Sequence, residues 1–133
     1  MLILAYAVIY AWVLVAGLLC LSQVKGFLKA TPTIADEQSL ERFKAMARFN
    51  MRLALVHIVV FVPGIIISIL IILRNGFLGL VGVLAVNAVV FGLGAYMWGL
   101  EKQARSLPAA SEDLAQQHRR ISEAWVKKVL PDF

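Results

Sequence analysis

Charged residues are scarce in this chain, and cysteine is almost absent from it. Among 133 residues, 16% are charged and 61% are apolar, whereas an average soluble domain has about 25% and about 45–50%. The mean hydropathy is +0.82. This balance excludes a disordered chain, a nucleic-acid-binding tail and a typical water-soluble globule, and the length allows a single domain. The only cysteine, Cys20, excludes an intrachain disulfide.

Sequence motifs for catalysis are also absent. The chain contains no phosphate-binding P-loop, no dinucleotide-binding glycine pattern, no HExxH, no CxxC pair and no GxSxG nucleophile turn. The long apolar stretches carry no carboxylate for acid–base or ion-transport chemistry. We therefore predict no catalytic residues, no cofactor and no metal ligands, and we expect that the protein is not an enzyme.

Three stretches of the chain, 1–24, 53–73 and 75–100, contain no Asp, Glu, Lys or Arg. A helix needs about 20 mostly apolar residues to cross about 30 Å of hydrocarbon, and its backbone must hydrogen-bond internally there. We predict an all-α integral membrane protein with transmembrane helices at 1–24, 53–73 and 77–100 and a short outer turn at 74–76. The first stretch could instead be a cleaved signal peptide, but no basic residues precede it, which favours a retained helix.

Basic residues lie almost entirely on one side of these helices. Six precede the second apolar stretch, six follow the third, and the turn holds one: Lys25, Lys29, Arg42, Lys44, Arg48 and Arg52; Lys102, Arg105, Arg119, Arg120, Lys127 and Lys128; and Arg74. Because short basic loops stay in the cytoplasm, we predict an outer N-terminus, a cytoplasmic loop (25–52) and a cytoplasmic tail (101–133). The net charge of +5 then predicts contact with a lipid bilayer and its anionic head groups rather than with nucleic acid.

The loop contains a predicted amphipathic helix that Pro32 and Thr33 open. One face of it recurs every three or four residues: Leu40, Phe43, Met46 or Ala47, and Asn50 or Met51. No helix breaker separates this pattern from the second apolar stretch. We therefore predict one long helix, whose first half is cytoplasmic or interfacial and whose second half lies in the membrane.

The tail contains a second amphipathic helix, which follows a break at Pro108 and has Ser111 as its expected N-cap. A stripe recurs at helical spacing at Leu114, His118, Ile121, Trp125 and Val129, before Pro131 ends the helix. Arg119, Arg120, Lys127 and Lys128 surround the stripe, and together with Trp125 they form a predicted surface for lipid or a partner. Such a helix can lie on a membrane surface, or it can dock on the loop helix or on a partner. Both interpretations fit the sequence equally.

Polar side chains inside the apolar stretches are few. His57 could carry a proton or bind a metal, but without a second ligand nearby a neutral ring bonded to a neighbouring helix is the favoured interpretation. Pro63 and Gly64 predict a kink in the second span, which frees the carbonyl of Val59. Asn87 lies level with Pro63 in a hairpin, so we expect its amide to bond to that carbonyl; alternatively, Asn87 lines a polar path.

Small residues recur at four-residue spacing in the third apolar stretch, as Ala88 with Gly92 and Ala95 with Gly99. Such pairs let membrane helices approach closely, and association in lipid depends on close packing because there is no hydrophobic drive. This face packs either within the three-helix unit or against another copy or another membrane protein.

Three functions fit these features. The favoured one is a non-catalytic accessory or assembly subunit of a larger membrane complex, which acts through the small-residue face and the amphipathic helices. The second is a self-oligomerising pore or small transporter lined by His57 and Asn87. The third is a surface or curvature protein that acts through the tail. The layout of three spans, outer N-terminus and basic cytoplasmic tail resembles that of class I phage holins, but no motif carries the resemblance and the long loop departs from it.

Overall fold

The chain folds into three α-helices. A computed structural model describes residues 1–128, with α1 at Leu2–Ala30, α2 at Glu37–Arg105 and α3 at Glu112–Lys127. Within this range the β-structure is one isolated parallel bridge. The predicted all-α class is confirmed, and α1 and α2 are long and apolar enough to cross a membrane. The expected ends of the tail stripe and helix, at Val129 and Pro131, lie outside the described residues.

Gly76 divides α2 into two helical arms, which we call the first arm (37–75) and the second arm (77–105). Its φ of 56° and ψ of −133° are the only non-helical dihedrals inside α2, and positive φ is readily adopted only by glycine. The arms meet closely beyond this point, since a methyl group at Gly79 would lie 2.6 Å from the carbonyl oxygen of Ile71. The Asn-Gly pair therefore makes a tight turn.

The two arms run side by side in opposite directions, and α1 packs against both. The ring of Tyr10 on α1 lies 6.5 Å from the ring of Phe61 on the first arm, and its hydroxyl contacts Asn87 on the second arm. Nearer the other end, Ala54 and Glu101 line the same cavity. Residues of the first arm thus lie beside residues of the second arm both near Gly76 and far from it, as expected for two antiparallel helices.

The first arm begins later than the sequence predicts. Asp36 is its N-cap and forms a capping box with Ser39, whose backbone N–H donates to Asp36 Oδ1 at 2.7 Å. Pro32 and Thr33 precede the helix, in a segment that pairs with the chain after α2: Ile34 N–H donates to the carbonyl of Pro108 at 2.9 Å. The prediction was wrong here because this pairing holds the segment extended. From Glu37 onward the predicted continuity into the second apolar stretch is confirmed, and helical dihedrals continue through Pro63 and Gly64.

α3 docks on the first arm through the predicted stripe. The Phe43 ring lies at the centre, with ring centroids of Phe27, His118 and Trp125 at 5.7, 4.4 and 5.8 Å. Leu114, His118 and Ile121 are buried, and Ser111 caps the helix as predicted. Of the two interpretations of the tail, docking on the loop helix is therefore the one observed.

Lowering the pH below about 6.5 should loosen α3. Burial lowers the pKa of His118, although its hydrogen bond to the Ala104 carbonyl opposes this. The imidazole of His118 therefore binds a proton less readily in the folded chain than in the unfolded chain. The contact is fully stable above the pKa of the unfolded chain, and it loses stability as the pH falls toward the lower pKa of the folded chain. Trp125 fluorescence, in a chain with Trp12 and Trp98 replaced by Phe, should report the loosening, whereas His118→Leu should remove this pH dependence. An unchanged pH response in His118→Leu would contradict the assignment.

Candidate functional site

A polar contact joins α1 to the second arm in the middle of the apolar region. Tyr10 donates its hydroxyl hydrogen to Oδ1 of Asn87 at 3.0 Å. Nδ2 of Asn87 donates to the carbonyl of Val83 at 2.8 Å and approaches the Tyr6 hydroxyl at 3.5 Å. The expected bond from Asn87 to the Val59 carbonyl is therefore wrong, because the tyrosine hydroxyls of α1 reach this amide between the arms.

Gly64 allows α1 to lie close to the first arm. A methyl group at Gly64 would lie 3.2 Å from Cγ2 of Ile9 and 3.7 Å from the Tyr10 ring. One turn further on, the Ser68 hydroxyl donates to the Gly64 carbonyl at 2.7 Å. Gly64 therefore allows a close helix–helix contact. The sequence predicts a kink at Pro63-Gly64 but does not predict this contact.

His57 connects the first arm to α1. Its Nδ1 lies 3.0 Å from the carbonyl oxygen of Leu53 in its own helix, and its Nε2 lies 3.1 Å from the carbonyl oxygen of Val13 in α1. A neutral imidazole donates to only one of them. The bond to a neighbouring helix agrees with the favoured interpretation of this residue. Among residues 1–128, no group of three or more His, Cys, Asp or Glu could hold a metal ion.

The same histidine lines a cavity of about 280 Å³ between α1 and the two arms, mostly walled by apolar side chains. Asn50 lines it as well; it is 3% exposed, and neither of its amide atoms has a hydrogen-bond partner in the described part of the chain. Glu101 completes the polar groups of the wall, and burial raises the pKa of its carboxyl, against the opposing charge of Arg105. Both ring nitrogens of His57 already lie at backbone carbonyls and the amide atoms of Asn50 are themselves buried, so the Glu101 carboxyl is the group of this wall that a small polar molecule could reach.

Sequence reasoning missed Asn50 and Glu101. The signal for Asn50 was present, because an amide occupies an otherwise apolar stripe of the first arm. Glu101 gave no such signal, since it follows the third apolar stretch among charged residues, where an exposed side chain is the usual expectation. Only the antiparallel pairing of the arms brings it level with Asn50 and His57.

The small residues of the second arm point away from the rest of the chain. Ala88, Gly92, Ala95 and Gly99 are all exposed, and a methyl group at Gly92 or Gly99 would meet nothing within 4 Å. We call these four residues the small-residue face. Packing within the three-helix unit, one of the two interpretations above, therefore does not use this face.

The basic surface predicted on α3 is divided between two sides. Arg119 and Lys127 line a cleft of about 540 Å³ between α3 and the end of α2, which we call the α2–α3 cleft. Lys128 instead borders a second cavity beside Asn50, together with Trp125, whose ring packs on Phe43. Arg120 is exposed and does not line the cleft. Successive helical positions point in directions about 100° apart, which places these side chains on different sides of α3. Their contact with lipid or a partner stays a prediction.

Comparison with protein-family models, curated proteins and solved structures gives no match to this chain.

The Tyr10–Asn87 hydrogen bond should show a measurable coupling energy. In a double-mutant cycle with Tyr10→Phe and Asn87→Leu, unfolding in mixed detergents should give about 0.6 kcal/mol, the average for such bonds in membrane proteins. Asn75→Leu is the control for amide loss, because Asn75 donates to Ile71 within its own arm; its coupling with Tyr10→Phe should be zero. Additive effects of Tyr10→Phe and Asn87→Leu would show that the hydroxyl and the amide do not interact.

Replacing Asn50 by leucine should stabilise the protein. The substitution removes an amide that is buried without a partner, and leaving such a group unsatisfied typically costs about 1–3 kcal/mol. Asn50→Leu should therefore raise the free energy of unfolding by about that amount, measured in mild detergent. Asn50→Asp keeps the size but adds a buried charge, so it should lower stability. A loss of stability in Asn50→Leu would mean that the amide is bonded.

Proposed function

We propose that this protein is a non-catalytic, multi-pass membrane protein that serves as an accessory or assembly subunit of a larger membrane complex. In this proposal α1 and the two arms of α2 form three spans. The N-terminus lies on the outer side, and the 25–52 loop and the tail lie in the cytoplasm. Anionic lipid head groups contact the basic residues, and another membrane protein contacts the second arm.

Exposed apolar side chains support the placement in lipid. Val59, Phe77 and Leu78 are 72%, 77% and 80% exposed, and many other large apolar side chains of α1 and α2 are exposed too. Soluble monomers rarely present a contiguous apolar surface larger than a few hundred Å². In hydrocarbon the same surface carries no such penalty. The cationic ends of the arms support the orientation through the positive-inside rule.

The observation that carries the assignment to an assembly subunit is the open small-residue face. The opposite side of the second arm already meets α1, since a methyl group at Gly17 would lie 2.8 Å from Leu93 Cδ2. Nothing in residues 1–128 covers Gly92 or Gly99. Faces of small residues favour close contact between membrane helices, so a helix from another chain fits here.

The pore alternative uses the same face for contact between copies of this chain. Its proposed lining residues, His57 and Asn87, are both occupied by hydrogen bonds to α1. This occupation favours the accessory subunit over a path lined by these side chains. The two functions predict different neighbours for the small-residue face, and the next experiment separates them.

Replacing Gly92 and Gly99 by leucine should release the partner protein. Affinity purification in mild detergent, followed by native mass spectrometry, should recover a larger membrane protein with the wild-type chain. We expect about tenfold less of it with Gly92→Leu/Gly99→Leu, equivalent to about 1.4 kcal/mol. Gly82→Leu is the matched control, because Gly82 is equally open but lies on another side of the same arm.

The mass spectrum also identifies the alternative. A homo-oligomer that the same double substitution dissociates would assign the face to the pore. A wild-type chain that is monomeric and carries no partner would contradict both functions.

A further inference from the structure

The α2–α3 cleft gathers cationic side chains around one concave space, which the general contact with lipid head groups in the proposed function does not require. Three cationic side chains line it, Arg105 from the end of the second arm and Arg119 and Lys127 from α3. Its volume of about 540 Å³ lies within the range of about 300–1,000 Å³ that small-molecule sites occupy. We propose that this cleft binds a phosphate monoester group, carried either by a lipid head group or by a soluble molecule.

The charges in the cleft match that ligand. Among residues 1–128, three cations and one carboxylate, that of Glu123, line the cleft and leave two net positive charges. A phosphate monoester carries about −1.5 to −2 at pH 7. Glu123 lies 3.5 Å from Lys127 Nζ, so its charge is directed at the lysine. No ion pair to Arg105 or Arg119 occurs within residues 1–128. Arg105 donates from Nε to the backbone carbonyl of Glu101 at 3.4 Å, so its terminal nitrogens and the guanidinium group of Arg119 remain. Such donors match phosphate oxygens.

A buried hydroxyl supplies a second and independent indication. Ser122 also lines the cleft, is 8% exposed, and its Oγ has no hydrogen-bond partner in the part of the chain described. A buried hydroxyl without a partner is uncommon in folded proteins. Ser106, at the other wall, has an exposed hydroxyl that donates to the Gln103 carbonyl at 3.0 Å. The Ser122 hydroxyl is itself buried, so it would donate to a bound phosphate oxygen after its side chain rotates toward the cleft.

The position of the cleft makes a lipid a natural source of the phosphate. Arg105 follows Leu100 by five residues, which is about 7–8 Å along a helix, so the cleft would lie at head-group level beside the second arm. This lipid source rests on the proposed membrane placement. Binding of a soluble phosphate does not depend on that placement. An experiment can therefore exclude one source without excluding the other.

A diffuse attraction between a basic helix and anionic molecules is the competing explanation. Arg119 and Arg120 distinguish the two, because they are neighbours of equal charge on α3 and only Arg119 lines the cleft. Anion binding by diffuse attraction weakens equally when either charge is removed. Anion binding at a defined site weakens only when Arg119 is removed.

Phosphorus-31 NMR on the full chain in uncharged detergent tests the proposal. Dihexanoyl phosphatidic acid and inorganic phosphate are titrated separately, and line broadening gives Kd for each. We expect Arg119→Gln to raise Kd about tenfold or more, the scale of one charge-assisted hydrogen bond, and Arg120→Gln to leave it within about twofold. Ser122→Ala should raise Kd by a smaller factor. Circular dichroism checks that each variant keeps its helices, and Lys127→Gln replaces Arg119→Gln if that variant unfolds.

The pattern of binding decides the source and the proposal. Loss confined to the cleft variants supports the site, with phosphatidic acid alone indicating a lipid, inorganic phosphate alone a soluble ligand, and both the shared phosphate group. Equal losses for Arg119→Gln and Arg120→Gln would overturn the proposal in favour of diffuse attraction. Absence of binding by the wild-type chain to both probes would overturn it as well.

Discussion

α1 packs against both arms of α2, and the arrangement of the apolar region depends on this contact. Two tyrosines and a glycine of α1 reach the arms: Tyr6 and Tyr10 meet the Asn87 amide, and Gly17 allows Leu93 to approach. In lipid, helices gain little from apolar burial, so close packing and a few hydrogen bonds decide their register. With α1 in this register, His57 also meets the Val13 carbonyl.

The half of the molecule that contains α3 is held together by a different force. Phe43 is completely buried among Phe27, His118 and Trp125, in a cluster that joins the end of α1, the first arm and α3. This cluster resembles the core of a soluble domain, where apolar burial supplies the drive. The extended pairing of Ile34 with Pro108 and Ala110 closes it. The protein thus combines a loosely buried apolar half with a compact basic half.

These two halves place the candidate sites on different surfaces. The small-residue face lies on the apolar half and offers shape without charge, which suits another membrane helix. The α2–α3 cleft lies on the basic half and offers charge and hydroxyl groups, which suit a phosphate. The cavity that Asn50 borders lies where the halves meet. A partner and a phosphate-bearing molecule could therefore bind together without competing.

The sequence by itself determined the helical class, the glycine turn at residue 76, the Ser111 cap and the unbroken helix across residue 53. These features depend on neighbours a few positions apart, where helical periodicity, capping and the φ preference of glycine act. Only the tertiary structure decided that Asn87 bonds to Tyr10 and that Asn50 and Glu101 share a cavity. It also decided that Arg119 lines the α2–α3 cleft whereas Arg120 does not. Such pairings join distant parts of the chain, and their register depends on how side chains of different helices interlock, which no local pattern encodes.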